Sequence, residues 1–191
     1  MNRDQALTIV KKQLGEGPRY QHTLRVTECA IKLAEKYGAD IEQTELAAIF
    51  HDYAKLMPID ELKRRIELTN EDSRLLVYPP ELWHGPVAAR IICEQFGIAN
   101  PDVIAAIRYH TTGRAGMSLL EKVIYLADYI EPGRSFPGIE ETRELAEISL
   151  DQAVLKALSN TILFLLKKNA SIFPDTFEAY NSLIIKGGKR F

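Results

Sequence analysis

Ile49-Phe50-His51-Asp52-Tyr53-Ala54-Lys55 ends an apolar helical pattern by bringing a histidine, a carboxylate and a lysine together. Leu46, Ala47, Ile49 and Phe50 bury this segment. An unpartnered polar side chain there costs ~1–3 kcal/mol, so His51 and Asp52 need partners. Neighbouring helical positions point about 100° apart, so the two side chains can meet only on something lying beside the helix between them. A hard to borderline metal ion accepts this mixture of nitrogen and oxygen. The dipeptide also arises by chance, and the remaining ligands must come from elsewhere in the chain.

Outward from that stretch the pattern is helical throughout. Asn2 with Gln5 boxes a short, peripheral first helix through Leu7, Val10 and Leu14. Gly17-Pro18 opens a second helix, with His22 in its first turns, running to Gly38. Asp40 and Gln43 cap the third, which delivers His51-Asp52 near its end and is broken by Met57-Pro58. Ile59, Leu62 and Ile66 make a fourth, and a helical turn with a Tyr78-Pro79-Pro80 loop follows. His84-Gly85-Pro86 starts a helix closed by Gly97. Asn100-Pro101 starts another that ends at His110. Ser118 and Glu121 box an apolar helix holding Asp128. A turn-rich loop from 132 to 138 leads to helices over about 140–148, 149–169 and 174–185, then a frayed tail over 186–191. Strand alternation and repeats are absent. The expectation is an all-α, single-domain helical bundle over 1–191, with its site core at about 18–138 and C-terminal helices over 140–185.

Composition narrows the class. The 191 residues are enough for one full hydrophobic core, and 46% hydrophobic with 26% charged residues is an ordinary globular balance. A net charge of -2 offers nucleic acid or an anionic membrane no general attraction, so a polyanionic ligand must meet a local basic patch. Cys29 and Cys93 are far apart, form no C-x-x-C and read as small core residues. With a polar start from Asn2 to Gln5 and no run near ~18 apolar residues, a cytoplasmic location is expected.

All four histidines (His22, His51, His84, His110) stand with Asp52 and Asp128 at helix ends or inside apolar helices. A lone histidine at a helix terminus usually serves the helix dipole, and a lone buried aspartate is often a hydrogen-bond acceptor. Six together exceed such coincidences. A histidine, then His-Asp about thirty residues later, then an aspartate on a later helix resembles the H…HD…D order of the HD-domain superfamily of metal-dependent phosphohydrolases. Phe50 to Lys55, Trp83-His84-Gly85-Pro86-Val87, Tyr109 to Gly113 and Leu126 to Arg134 bring it closer to the YqeK-type branch. The HD-GYP phosphodiesterases share the extra histidines, but their Gly-Tyr-Pro is missing here, which disfavours a cyclic dinucleotide.

The resemblance implies an all-α core that holds one or two metals and hydrolyses diadenosine tetraphosphate symmetrically to two ADP. Iron is the implied ion, with manganese or magnesium as alternatives. His22, His51, Asp52 and Asp128 would bind the first ion. His84 and His110 would bind a second through Asp52, or else contact phosphates and move protons. A metal-activated hydroxide would attack, with Asp52, His84 and His110 as the catalytic set. Lys55, Arg134 and Arg114, with Arg25 similar, are candidate phosphate cations, and Thr111 and Ser135 candidate hydroxyl donors. Phe136, Tyr109, Tyr129 or the loop with Ile172 and Phe173 would face the nucleoside. With His22, His84 and His110, the substrate-contacting set is Lys55, Thr111, Arg134, Ser135 and Phe136. Two alternatives stand beside this reading: hydrolysis of another nucleotide, and a metal-stabilised domain that binds without catalysis. An adaptor using Arg64-Arg65 and Arg143 would leave the buried ligands unexplained. Oligomeric state, a homodimer included, is left open.

Overall fold

Ala47, Ala48, Ile49 and Phe50 have no exposed surface, and four consecutive helical residues point to nearly every side of their axis. The C-terminal turn of their helix, α3 (Ile41–Phe50), is therefore enclosed all round, while Ile41 and Glu42 at its start are exposed. The helix packs against α1 (Arg3–Leu14), α2 (Pro18–Tyr37), α6 (Pro101–Tyr109) and α7 (Leu119–Ile130). This computed structural model describes residues 1–69 and 71–187. Among them are ten α-helices and two 3₁₀ segments, Ser73–Val77 and Pro80–Leu82, and no strand.

The caps expected from the sequence form. Asn2 and Gln5 exchange side-chain and backbone bonds of 3.0 and 3.1 Å, and Ser118 and Glu121 do the same at the start of α7. Gly38 and Gly97 take the left-handed conformation that ends α2 and α5 (His84–Phe96). Three more helices, α8 (Ile139–Ile148), α9 (Leu150–Lys167) and α10 (Pro174–Lys186), follow the loop after α7, and α9 packs onto α7. The amphipathic α4 (Ile59–Leu68) turns Leu62 and Ile66 inward and packs on α5.

Four expectations are corrected. Helix α3 stops at Phe50, so His51 caps it and residues 51–56 form turns, which frees the backbone to aim His51 and Asp52 separately. The first helix is not peripheral, because it buries Ala6, Val10 and Leu14. Cys93 is exposed: Ile91 and Ile92 face the core, and the next position turns outward with Glu94. Cys29 is half-buried. The expected tail begins too early, since Lys186 is helical and binds Asp151 at 2.9 Å; its residues 188–191 lie outside the described residues.

Candidate metal centre and phosphate site

Five elements each contribute to one buried cluster. His22 comes from the second turn of α2, and His51 and Asp52 from the turn that ends α3. His84 is the first residue of α5, and His110 caps α6. All five are buried, and Asp128 in the last turn of α7 is partly exposed. His22 Nε2 lies 3.6 Å from Asp52 Oδ2 and 3.0 Å from Asp128 Oδ1, and His51 Nε2 is 3.4 Å from Asp52 Oδ2. On the other oxygen, Asp52 Oδ1 is 3.1 Å from His84 Nε2 and 3.8 Å from His110 Nε2. Asp52 thus joins two triads with metal-ligand spacing, His22-His51-Asp52 and Asp52-His84-His110.

Hydrogen-bond polarity separates the histidines. His51 donates from Nδ1 to the Ala48 carbonyl at 2.7 Å, and His110 donates from Nδ1 to the Ile107 carbonyl at 2.7 Å. His22 Nδ1 meets the Glu131 carboxylate at 3.1 Å. A neutral ring that donates from Nδ1 presents a lone pair at Nε2, so these three turn acceptors toward the cluster. The buried Nε2 atoms of His22 and His51 have no hydrogen-bond partner. They face carboxylate oxygens, and lone pairs gathered like this are favourable only around a cation. The donor set of two imidazoles and two carboxylates fits a divalent metal.

His84 has the opposite polarity. His110 Nε2 is an acceptor, so His84 Nε2, 3.0 Å away, carries the hydrogen. The Nδ1 of His84 then accepts from Lys55 Nζ at 3.5 Å. Burial lowers the affinity of both rings for a second proton, and His110, further opposed by His84 and His51, is pushed down to about 3. Burial opposes the charge on Asp52 too, but His51 and His84 beside it hold its carboxyl well below the usual range. Asp128 is lowered despite burial through His22, His51 and Arg134.

Cations gather around these carboxylates. Arg134 donates to Asp128 Oδ1 at 2.8 Å, and Arg19 donates to Asp52 Oδ2 at 2.7 Å. Lys55 is close enough to feel both arginines, and burial lowers its pKa. Thr111 Oγ1 stands 3.1 Å from His110 Nε2. Ser135 is exposed in the Arg134 loop, and Phe136 packs edge-on against Tyr129 with ring centres 5.1 Å apart. Arg114 is spent elsewhere: it pairs with buried Glu121 at 2.6 Å and covers the Tyr109 ring. Phe173 is buried between Tyr78 and Arg74. Arg25 turns to Glu131, and Arg64 and Arg65 pair with Glu61 on their own helix.

The sequence model of the HD domain matches residues 19–133, the span that holds all six ligand-type residues. The chain belongs to the HD-domain family. Relatives cover nearly all of it. The Bacillus subtilis (strain 168) protein named symmetrical bis(5'-nucleosyl)-tetraphosphatase is 54% identical over 184 residues, 96% of this chain and 98% of that one. A Staphylococcus aureus protein of the same name is 42% identical, covering 95% of this chain and 94% of that one. A crystal structure from Clostridium acetobutylicum, described as a predicted HD superfamily hydrolase involved in NAD metabolism, superposes with a TM-score of 0.91 at 38% identity. It covers 97% of this chain and 98% of that one.

Two parts of this HD-domain site escaped the sequence reading. Arg19 sits one turn before His22 but reads as one of 24 basic residues until the fold puts it on Asp52. Glu131 lay inside a motif-like stretch without a role, and its partners His22 and Arg25 are more than a hundred positions away. Its neighbourhood is held from outside the matched span. Arg143 of α8 donates to the carbonyls of Ile130, Glu131 and Arg134 at 2.9–3.0 Å, which staples the loop that carries Arg134.

Proposed function

We propose that this chain is a metal-dependent hydrolase that splits diadenosine tetraphosphate symmetrically into two ADP. The observation that carries the reading is the buried His22-His51-Asp52 cluster, in which Nε2 of both rings lacks a hydrogen-bond partner and Asp128 lies against His22, beside Arg19, Lys55 and Arg134. The names of the full-length relatives support the tetraphosphate as substrate and the symmetrical outcome. Residues 18–138 form the site-bearing core in this reading, and the helices over 140–185 brace it.

His22, His51, Asp52 and Asp128 would hold the ion. Iron is the proposed metal, with manganese or magnesium as substitutes. Bound there, a divalent ion supplies an acidified water and an electrophile for phosphoryl oxygens. Arg19, Lys55 and Arg134 neutralise the four-phosphate chain and orient it. The attacking water oxygen forms a bond to one of the two central phosphorus atoms and releases its proton to bulk water, and the bond from that phosphorus to the central bridging oxygen breaks. The departing oxygen leaves with the bonding electron pair as part of the second ADP, and the Nε2–H of neutral His84, with Lys55 behind the ring, would stabilise its charge by a hydrogen bond. His110 and Thr111 contact the phosphates beside it. The polarity of His84 supports this donor role over a role as ligand to a second ion. The Tyr129–Phe136 pair, next to Arg134, offers an aromatic edge to one nucleoside.

The test is to incubate iron- or manganese-loaded protein with diadenosine tetraphosphate and resolve the nucleotides. ADP as the sole product is expected. ATP with AMP would refute symmetrical cleavage, and a metal-loaded protein that yields no product would refute the assignment.

A further inference from the structure

We infer that Glu131, locked by Arg25 across Gly133, is a positioning residue that sets the tautomer and aim of His22. The inference deepens the proposed function, and it rests on His22 being a metal ligand.

The Glu131 carboxylate is 1% exposed, and a buried charge is tolerable only with its oxygens filled. Oε1 takes His22 Nδ1 at 3.1 Å and Arg25 Nη2 at 3.3 Å. Oε2 takes Arg25 Nε and the Gly133 N–H, each at 2.6 Å. An exposed Arg–Glu pair would carry little significance. This pair is different because the carboxylate lies inside and spends an oxygen on the ring nitrogen facing away from the cluster. A carboxylate on that nitrogen keeps the proton there, leaves Nε2 as a lone pair and raises its basicity as a ligand.

Gly133 supplies a second, independent observation. Its φ lies outside the left-handed region, so backbone conformation does not require glycine. Space does: a Cβ there would stand 2.5 Å from Arg25 Nε and Nη2. The missing side chain makes the groove in which the guanidinium lies to reach Glu131. An alanine would meet the far end of a flexible side chain, so Arg25 would swing away and the backbone would stay.

The experiment compares Glu131→Gln, Gly133→Ala and His22→Ala with the wild type. Mn(II) affinity is read by calorimetry, His22 ring protonation by ¹⁵N NMR of the metal-free protein, and helix content by circular dichroism. Glutamine can donate its amide to Nδ1 and so drive the ring proton to Nε2. Glu131→Gln is expected to weaken Mn(II) binding about 10–100-fold with the ring tautomer changed and the helices kept. Gly133→Ala is expected to weaken it by a smaller factor, and it carries the test if the Gln variant fails to fold. Wild-type Mn(II) affinity with an unchanged tautomer in both variants would overturn the inference. Wild-type affinity in His22→Ala would instead overturn the ligand reading beneath it.

Discussion

At the residue scale the site turns on which ring nitrogen holds the hydrogen. His22, His51 and His110 spend Nδ1 on acceptors outside the cluster, and His84 accepts there from Lys55. Four residues of one type therefore divide into three acceptors and one donor. Two substitutions separate those roles. Asp52→Ala removes the carboxylate shared by both triads and is expected to abolish metal binding and hydrolysis together, with the circular dichroism of the helices retained. His84→Ala is expected to keep the bound metal while turnover falls by about 10²–10³, the range for losing one preorganised hydrogen-bond donor. Metal analysis beside single-turnover kinetics checks both, and loss of bound metal in the His84 variant would make that ring a ligand.

At the element scale the decisive contact is the crossing of α5 on α6, because it sets His84 against His110. Gly85 permits that approach. A Cβ on it would stand 2.8 Å from the Arg108 carbonyl, 3.2 Å from the Ile107 carbonyl and 3.4 Å from His110 Cε1. Those neighbours are mainly backbone and cannot step aside, unlike Arg25 over Gly133. Gly85→Ala is expected to cost about 1–3 kcal/mol as an overpacked contact and to force the two imidazoles apart. Denaturant unfolding measures the first effect and turnover the second. A variant with full stability and full activity would show that the helices tolerate separation.

For the whole molecule, burying so many ionisable groups ties stability to pH. His110 titrates near 6.5 when unfolded but is pushed down to about 3 in the fold, so between those values the unfolded chain binds the extra proton. Its contribution is present above pH 6.5 and is lost as pH falls toward 3. Glu131 acts in the same direction lower down: burial opposes its charge, yet Arg25, Gly133 and His22 bring it to about 2, so its contribution fades between about 4.5 and 2. His51 is raised by Asp52 against burial and opposes them, adding stability on the acid side. The thermal midpoint of metal-stripped protein is expected to drop as pH is lowered from 7 to 4, with a shallower drop in His110→Gln. A midpoint that rises on acidification would contradict these shifts. The C-terminal helices also belong to this scale, since Arg143 of α8 holds the Arg134 loop from outside the matched family span.

The helices and the ligand-type residues are legible along the chain. Caps such as Asn2-Gln5 and Ser118-Glu121 act within one turn, apolar periodicity repeats every few residues, and H…HD…D is an order along the chain. What those residues face depends on how the helices pack. Arg114, one of the proposed phosphate cations, is held by Glu121, whereas Arg19 and Glu131, with no role in the sequence reading, reach Asp52 and His22. Hydrogen bonds across 33 and 109 positions depend on how α2, α3 and α7 cross, and side-chain partners at that range leave no periodic mark in the chain. The tautomer of each histidine is decided in the same way, by whichever atom the fold brings to its second nitrogen.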